Sequence, residues 1–232
     1  MGVKKKGDGS VTKEISQKIE KAKNDFSEKE FRNYGNLSKE EVIIYAERKA
    51  WKDLFMIHVP RISNIISNNK EDILKQMKDM FLKYLDGNDK RDFEDIHKDM
   101  CHIFLKLLAR YMKVSEEYTN ALYGKAQKFV NMTFKYLYVT KQFEDKIDLF
   151  DGCHMPIDKY ILRWFYRETG IYLEGWSFID KEVYYVMQEK IKVMVPEGYS
   201  PLQYEFVIWE ELKNTERDLK KMNKEELEML LK

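Results

Sequence analysis

The chain has 232 residues, of which 44% are hydrophobic and 14% aromatic, enough for a buried core in one large domain or in two small domains that share a cleft. Its formal net charge of +1 does not indicate a nucleic-acid partner. The charge does not exclude such a partner either, because a local basic face is enough to contact phosphates. Two cysteines argue against a disulfide scaffold, and no apolar run reaches the roughly 18 residues of a membrane span. We therefore expect a cytoplasmic protein without a membrane partner.

The predicted elements are helices throughout. Four prolines and ten glycines leave long uninterrupted segments, and the apolar residues in them recur with a helical period. Residues 1–12 are predicted to form a flexible tail, and 13–232 a single all-α domain. The predicted helices cover 12–26, the stretch from Ser38 to Pro60, 71–85, 92–112, a short segment from Ser115 to Gly124, 124–139, 158–170, 180–194, 201–212 and 224–231. The segment 141–152 is predicted to be a polar connection.

Local signals mark several helix ends. Ser38 and Glu41 have the spacing of a capping box, in which each side chain bonds the other residue's backbone N–H. Asp158 and Asp180 are placed to cap the helices that follow them, and Gly170 is predicted to end the first of these two.

The helix over 124–139 is the most apolar element of the chain. Its polar residues Lys128, Asn131 and Lys135 recur at the spacing of one narrow stripe on a helix that is otherwise almost all apolar. Because a solvated helix would carry more charge, we expect this helix to be central, with the stripe opening on a cleft or a partner.

Two segments of the chain resemble the helix-hairpin-helix DNA glycosylase superfamily. The first is Leu122-Tyr123-Gly124-Lys125-Ala126-Gln127-Lys128, and the second is Ile157-Asp158-Lys159-Tyr160-Ile161-Leu162-Arg163. The gap from Lys128 to Asp158 is nearest to that of the archaeal 8-oxoguanine glycosylase branch. The chain departs from the family where Tyr123 replaces the hairpin proline, Ala126 the second glycine, and Lys159-Tyr160 the usual Thr-His.

The resemblance implies a fold, a site and an activity. It implies two helical lobes around a cleft, with the helix-hairpin-helix at about 115–139, Lys128 as the nucleophile and Asp158 as its catalytic aspartate. The residues from Tyr123 to Gln127, namely Tyr123, Gly124, Lys125, Ala126 and Gln127, would bind the phosphates of double-stranded DNA. The monomer would excise a damaged or modified base and cleave the abasic site, without cofactor or metal. The base would be an oxidised purine or a modified base in foreign DNA.

The chemistry explains why these residue types are needed. A lysine half-buried between apolar helices has a lowered pKa, so part of it is a neutral amine that can attack C1′ of the sugar. A nearby carboxylate can accept the proton and stabilise the positive charge that develops. The base must leave the base stack of the duplex to react. We therefore expect a pocket of aromatic rings, together with polar side chains that recognise the base by hydrogen bonds. Its predicted members are Asn131, Phe134, His154 and Trp176, with Tyr138, Trp164 and Phe178 as further candidates for its rings.

Three other interpretations compete with this one. The chain could be a non-catalytic helical module that binds DNA or a protein, in which case Lys128 could be exposed. It could be a protein-interaction factor, with an exposed apolar patch beside Lys128 and Asn131. The Cys-His pairs at 101–102 and 153–154 suggest a zinc site, but they lack the usual spacing of zinc ligands. We therefore expect these residues to be buried and structural.

Overall fold

The computed structural model describes residues 9–31, 37–54, 68–115 and 121–221 of the chain. Every regular element in these ranges is helical, which confirms the predicted all-α class. The α-helices are α1 (Gly9–Phe31), α2 (Lys39–Leu54), α3 (Lys70–Leu85), α4 (Phe93–Met112), α5 (Tyr123–Tyr138), α6 (Lys159–Thr169), α7 (Lys181–Met194) and α8 (Pro201–Lys221). Two 3₁₀ segments, Lys141–Phe150 and Trp176–Phe178, lie between them. Among the described helices, none combines the length and the apolar character needed to cross a bilayer.

The predicted helix caps are confirmed. The Ser38 backbone N–H donates to the Glu41 carboxylate at 2.8 Å, and the Glu41 N–H donates to the Ser38 hydroxyl at 3.3 Å, which completes the capping box. Asp180 accepts from the Val183 N–H at 2.8 Å. Gly170 ends α6 at a φ of 72°, a left-handed conformation that glycine adopts without a steric penalty.

Several predicted boundaries differ from the structure. Helix α1 begins at Gly9, inside the segment predicted as a tail, and continues to Phe31, past its predicted end at residue 26. Helix α8 continues nine residues past Leu212, because nothing from Leu202 onward breaks a helix. The connection predicted for 141–152 instead forms the 3₁₀ segment, which buries Phe143 and Phe150 against the core. The helix predicted over 224–231, the end at Pro60 of the helix from Ser38, and half of the short helix from Ser115 to Gly124 lie outside the described residues.

Helix α5 is the centre of the fold, as predicted. It packs mainly against α2 and also against α4, α7 and both 3₁₀ segments. Phe129 stacks on Phe104 of α4 with ring centroids 4.5 Å apart, and Phe134 meets Phe81 of α3 at 5.0 Å. Of the sixteen residues of α5, all but two lysines are buried. These two lysines therefore mark the place where the central helix comes closest to solvent.

The polar stripe predicted on α5 does not open on one cleft. Lys135, at its C-terminal end, is 1% exposed and forms an ion pair with the equally buried Glu205 of α8 at 2.5 Å. Three aromatic rings surround its ammonium group at 4.7–5.0 Å: Phe26, Phe206 and Trp209. Asn131 has no exposed surface either. The prediction was wrong here because helices cover α5 on more sides than the periodicity of its own sequence can indicate.

Candidate functional site

Two buried glutamines hold the segment that leads into α6. Gln127 of α5 donates to the Ile157 carbonyl at 3.0 Å and accepts from the Ile157 N–H at 3.2 Å. Gln188 of α7 makes the same pair of bonds to Met155, at 2.8 and 3.2 Å. Each amide side chain thus bonds both the N–H and the carbonyl of one residue, as the backbone of a neighbouring β-strand would. The segment is fixed between α5 and α7, and the position of its last residue, Asp158, follows from that.

Asp158 caps α6, as predicted. One of its carboxylate oxygens accepts hydrogen bonds from the N–H groups of Tyr160 at 2.8 Å and Ile161 at 3.1 Å. The negative charge of Asp158 also acts on Lys128, whose charged form it favours. Among the ion pairs of the described residues none joins these two, so their separation exceeds 4.0 Å and the coupling acts through space.

Lys128 lies half-buried against an indole ring. Its Nζ is 4.2 Å from the centroid of the Trp176 ring, a cation–π geometry. Burial lowers the pKa of Lys128, and the nearby carboxylates of Asp158 and Asp53 oppose that shift. Lys125 lies over the same ring at 5.4 Å, and its pKa is lowered by burial and then by the charge of Lys128. The two lysines and Trp176 form one cluster at the start of α5.

Asp53 of α2 is a member of this site that the sequence did not reveal. It is half-buried and accepts a hydrogen bond from the Tyr136 hydroxyl at 2.6 Å. Burial raises the pKa of Asp53, while Tyr136 and Lys128 work in the opposite direction. The sequence alone does not distinguish Asp53 from the other polar residues of an amphipathic helix. Only the packing of α2 on α5 brings its charge to Lys128.

The predicted phosphate-binding hairpin is the packed first turn of α5. The N–H groups of Lys125 and Ala126 donate to the Leu122 carbonyl at 2.9 and 3.2 Å, so they are used within the helix. Gly124 lies directly under the Trp176 turn, where a Cβ would collide with the Trp176 carbonyl oxygen and lie 3.1 Å from the Cα of Ser177.

The residues at positions 123 and 126 allow this segment to be helical. Because Tyr123 and Ala126 are neither proline nor glycine, nothing prevents the helix from starting at Tyr123. The side chains of Tyr123, Ala126 and Gln127 are buried, so of the five predicted phosphate contacts only the Lys125 side chain reaches towards solvent.

Asn131 and His154, the polar side chains predicted to recognise the base, are buried in the core. The Tyr184 hydroxyl joins Asn131 Nδ2 at 2.8 Å, His154 Nδ1 at 2.9 Å and His97 Nε2 at 3.2 Å. Burial lowers the pKa of both histidines, to about 3 for His97, so both are neutral at pH 7. Phe134 belongs to the aromatic core. Trp176 is therefore the one member of the predicted base pocket that the structure brings to Lys128.

Two surface clefts lie near the start of α5. One, of about 740 Å³, is lined largely by charged residues such as Asp99, Asp180 and Lys181, and reaches the predicted hairpin only at Tyr123. The other, of about 430 Å³, lies between α6 and the loop before Trp176, and Trp176 forms part of its wall. Lys128 lines neither of them.

No group of three or more metal-ligating side chains forms in the part of the chain that the structure describes. Cys101 and Cys153 are both buried with free thiols, and His97 lies 3.6 Å from the Cys101 sulfur. Comparison of the chain with models of known protein families, with curated proteins and with solved structures gave no match.

Proposed function

We propose that this chain is a DNA glycosylase that releases a damaged or modified base through a Schiff base on Lys128, with abasic-site lyase activity. One observation carries the proposal. The central helix is buried along its whole length except at Lys125 and Lys128, and Lys128 combines a lowered pKa, an indole face and two nearby carboxylates. Such a combination is typical of a nucleophilic amine and is costly to maintain for structure alone.

The reaction follows from these neighbours. The neutral amine of Lys128 attacks C1′ of the target nucleoside while the bond from C1′ to the base breaks, and its electron pair leaves with the base. The attached nitrogen loses a proton, which a carboxylate carries to the departing base. The C1′–O4′ bond then opens, O4′ takes a proton from solvent, and C1′ becomes doubly bonded to the lysine nitrogen. In the lyase step a proton leaves C2′ and the 3′ phosphate departs. Water finally releases Lys128.

Asp53 and Asp158 have different parts in this scheme. Asp53, with its raised pKa, is suited to accept and return the proton. Asp158 already bonds two backbone N–H groups, so it serves as a fixed negative charge that stabilises the cationic sugar. Trp176 offers its ring to the extruded nucleotide, and stacking on an aromatic ring suits any base. The class of substrate is thus a flipped nucleotide with a modified base in double-stranded DNA.

The test is trapping of the intermediate. The purified chain is incubated with duplexes that carry single modified bases, oxidised purines first, and with borohydride, which delivers hydride to C1′ and makes the bond permanent. We expect one or more duplexes to give a covalent protein–DNA adduct with release of the base. Lys128→Gln removes the amine and abolishes the adduct, and Asp158→Asn retains the cap acceptor but lowers the rate.

Lys125→Gln is the matched control. Lys125 lies over the same ring, shares the lowered pKa and is three residues away on the same helix. If Lys125→Gln removes the adduct while Lys128→Gln retains it, the assignment of the nucleophile is wrong. If no duplex in the panel loses its base or forms an adduct, the catalytic proposal is wrong, provided that the circular dichroism of the protein is that of a folded helical chain.

A non-catalytic nucleic-acid-binding module is the second candidate. It is favoured by the fact that the Asp158 carboxylate is committed to capping α6. In this case the wild type and Lys128→Gln would bind a duplex equally well, and neither would release a base.

A further inference from the structure

The lining of the cleft between α6 and the loop before Trp176 combines aromatic rings with charged and aliphatic side chains. Tyr166, Tyr172 and Trp176 supply the rings, Lys159 and Arg163 supply positive charges, and Glu174 supplies one negative charge. Its volume of about 430 Å³ is within the range of small-ligand sites and is sufficient for a nucleobase with its sugar. Neither Lys128 nor Asp158 lines it. The cleft therefore adjoins the site proposed for catalysis and shares only Trp176 with it.

Two of the three rings of this cleft are unusually exposed, whereas Trp176 is buried. Tyr172 is 73% and Tyr166 53% exposed, and their rings meet at right angles with centroids 6.2 Å apart. Of the six large hydrophobic residues that are exposed in the described part of the chain, four lie between residues 166 and 178. Tyr172 contributes little to the core, so the need for a buried core does not explain why this segment is aromatic.

A row of cations runs along the exposed side of α6 beside the cleft. Lys159, Arg163 and Arg167 follow one another at intervals of four residues, a rise of about 6 Å per step along the helix. Their side chains are 51–59% exposed and make ion pairs with Glu216 and Glu211 of α8 and, for Arg167, also with Glu168 of α6. An ion pair whose cation is this exposed contributes little to stability, so these cations can turn to a bound phosphate at low cost.

We infer that this cleft binds single-stranded nucleic acid, with an unpaired base inserted among Tyr166, Tyr172 and Trp176 and the neighbouring phosphates on the Lys159–Arg163–Arg167 row. Aromatic rings that stack bases beside cations that follow the backbone are the general means of binding a single strand. An apolar peptide would use the rings but not the row of cations, so the charges favour a polyanion. The inference does not depend on Schiff-base chemistry, and it holds for a catalytic and for a non-catalytic chain.

The experiment measures binding of a fluorescein-labelled oligothymidylate of about ten nucleotides, a length that one compact site can cover. The protein is the full chain carrying Lys128→Gln, so the proposed catalysis cannot affect the result. We expect the single strand to bind more tightly than a blunt duplex of equal length. Tyr172→Ala should weaken binding at least about fivefold, the lower end of the effect of removing a stacking ring. Arg163→Gln should weaken binding and reduce the salt dependence by about 0.7 in the log–log slope, one phosphate contact.

Two variants serve as matched controls. Tyr111→Ala removes a ring of α4 that is not part of the cleft lining, and Arg48→Gln removes an arginine of α2 that is paired with Glu71 of α3. Both should bind like the parent. The inference is overturned if the oligonucleotide does not bind at low ionic strength, if the duplex binds more tightly than the single strand, or if the controls weaken binding as much as Tyr172→Ala and Arg163→Gln do. If the single strand binds as expected but the wild-type chain forms no covalent adduct with any duplex of the panel, only the glycosylase proposal is refuted.

Discussion

Glu47 is a buried acid whose replacement should stabilise the protein. It lies on the inner face of α2 with no exposed surface, and neither carboxylate oxygen has a hydrogen-bond partner among the described residues. Burial raises the pKa of Glu47 to about 9, although the charge of Lys78 opposes this. The folded state therefore holds Glu47 protonated at pH 7, whereas the unfolded chain, with the ordinary pKa of 4.5, is ionised.

The sign and size of the effect follow from proton linkage. Between pH 4.5 and about 9 the folded state binds one proton more than the unfolded state, so the free energy of unfolding falls as the pH rises. The fall is about 1.4 kcal/mol per pH unit, which amounts to about 3 kcal/mol at pH 7. Glu47→Gln replaces the acid by a neutral group of the same shape. It should raise the free energy of unfolding by about 3 kcal/mol at pH 7 and have little effect at pH 4.

Urea unfolding at several pH values, followed by tryptophan fluorescence, measures this difference. Glu205→Gln is the contrasting variant, because Glu205 is equally buried but paired with Lys135. Removing one member of a buried pair leaves the other charge uncompensated, so this variant should lose about 3–5 kcal/mol at pH 7. The reasoning is refuted if Glu47→Gln destabilises the protein at pH 7, or if its effect is the same at pH 4 and pH 8.

Three further substitutions test the candidate site. Gly124→Ala adds a methyl group against the Trp176 carbonyl, so thermal unfolding should show a loss of about 1–3 kcal/mol and the tryptophan emission should shift; unchanged values would contradict the close packing. Gln127→Met leaves the backbone N–H and carbonyl of Ile157 without their hydrogen-bond partners, so the free energy of unfolding measured in urea should fall by about 3 kcal/mol. If it falls no more than it does for a substitution at an exposed position, the amide of Gln127 does not hold this segment. Lys128→Met should raise the free energy of unfolding at pH 7. Because burial lowers the pKa of Lys128, the wild type gains stability with rising pH up to about 10.5; the variant should lose this dependence, and an unchanged pH profile would show that the amine is not desolvated.

Features that depend on a few neighbouring residues could be predicted from the sequence. The capping box at Ser38, the caps at Asp158 and Asp180 and the left-handed Gly170 each need only the residues of one helix end, and each is confirmed. The central position of α5 could be predicted because a helix with so few charged residues must be packed against several other elements. These parts of the fold follow from local hydrogen bonding and from periodicity.

Features that depend on distant packing could not be predicted. A pattern on α5 places Asn131 and Lys135 on one stripe, but it cannot indicate that Tyr184 of α7 covers the first and Glu205 of α8 the second. Nothing in the sequence of α2 indicates that Asp53 lies near Lys128. A polar residue on the apolar face of an amphipathic helix, as His97 is beside Phe93, Met100 and Cys101, is the one hint of the hydrogen-bonded cluster around the Tyr184 hydroxyl.

The surroundings of Lys128 show which predicted site residues the packing brings together and which it does not. Lys128 feels the charge of Asp158, and Asp158 is at the start of a helix. The N–H groups of Lys125 and Ala126, in contrast, are used within α5 and are not available to a phosphate. The Schiff-base proposal therefore draws on the surroundings of Lys128 and not on the predicted hairpin.

Identification of the lysine that carries the sugar tests the central claim most directly. The protein is trapped with borohydride on the duplex that gives the most base release, and the digested adduct is analysed by mass spectrometry. The proposal predicts that the deoxyribose remnant is attached to Lys128 and to no other lysine. A remnant on Lys125, or the absence of any adduct from duplexes that the protein demonstrably binds, would contradict it.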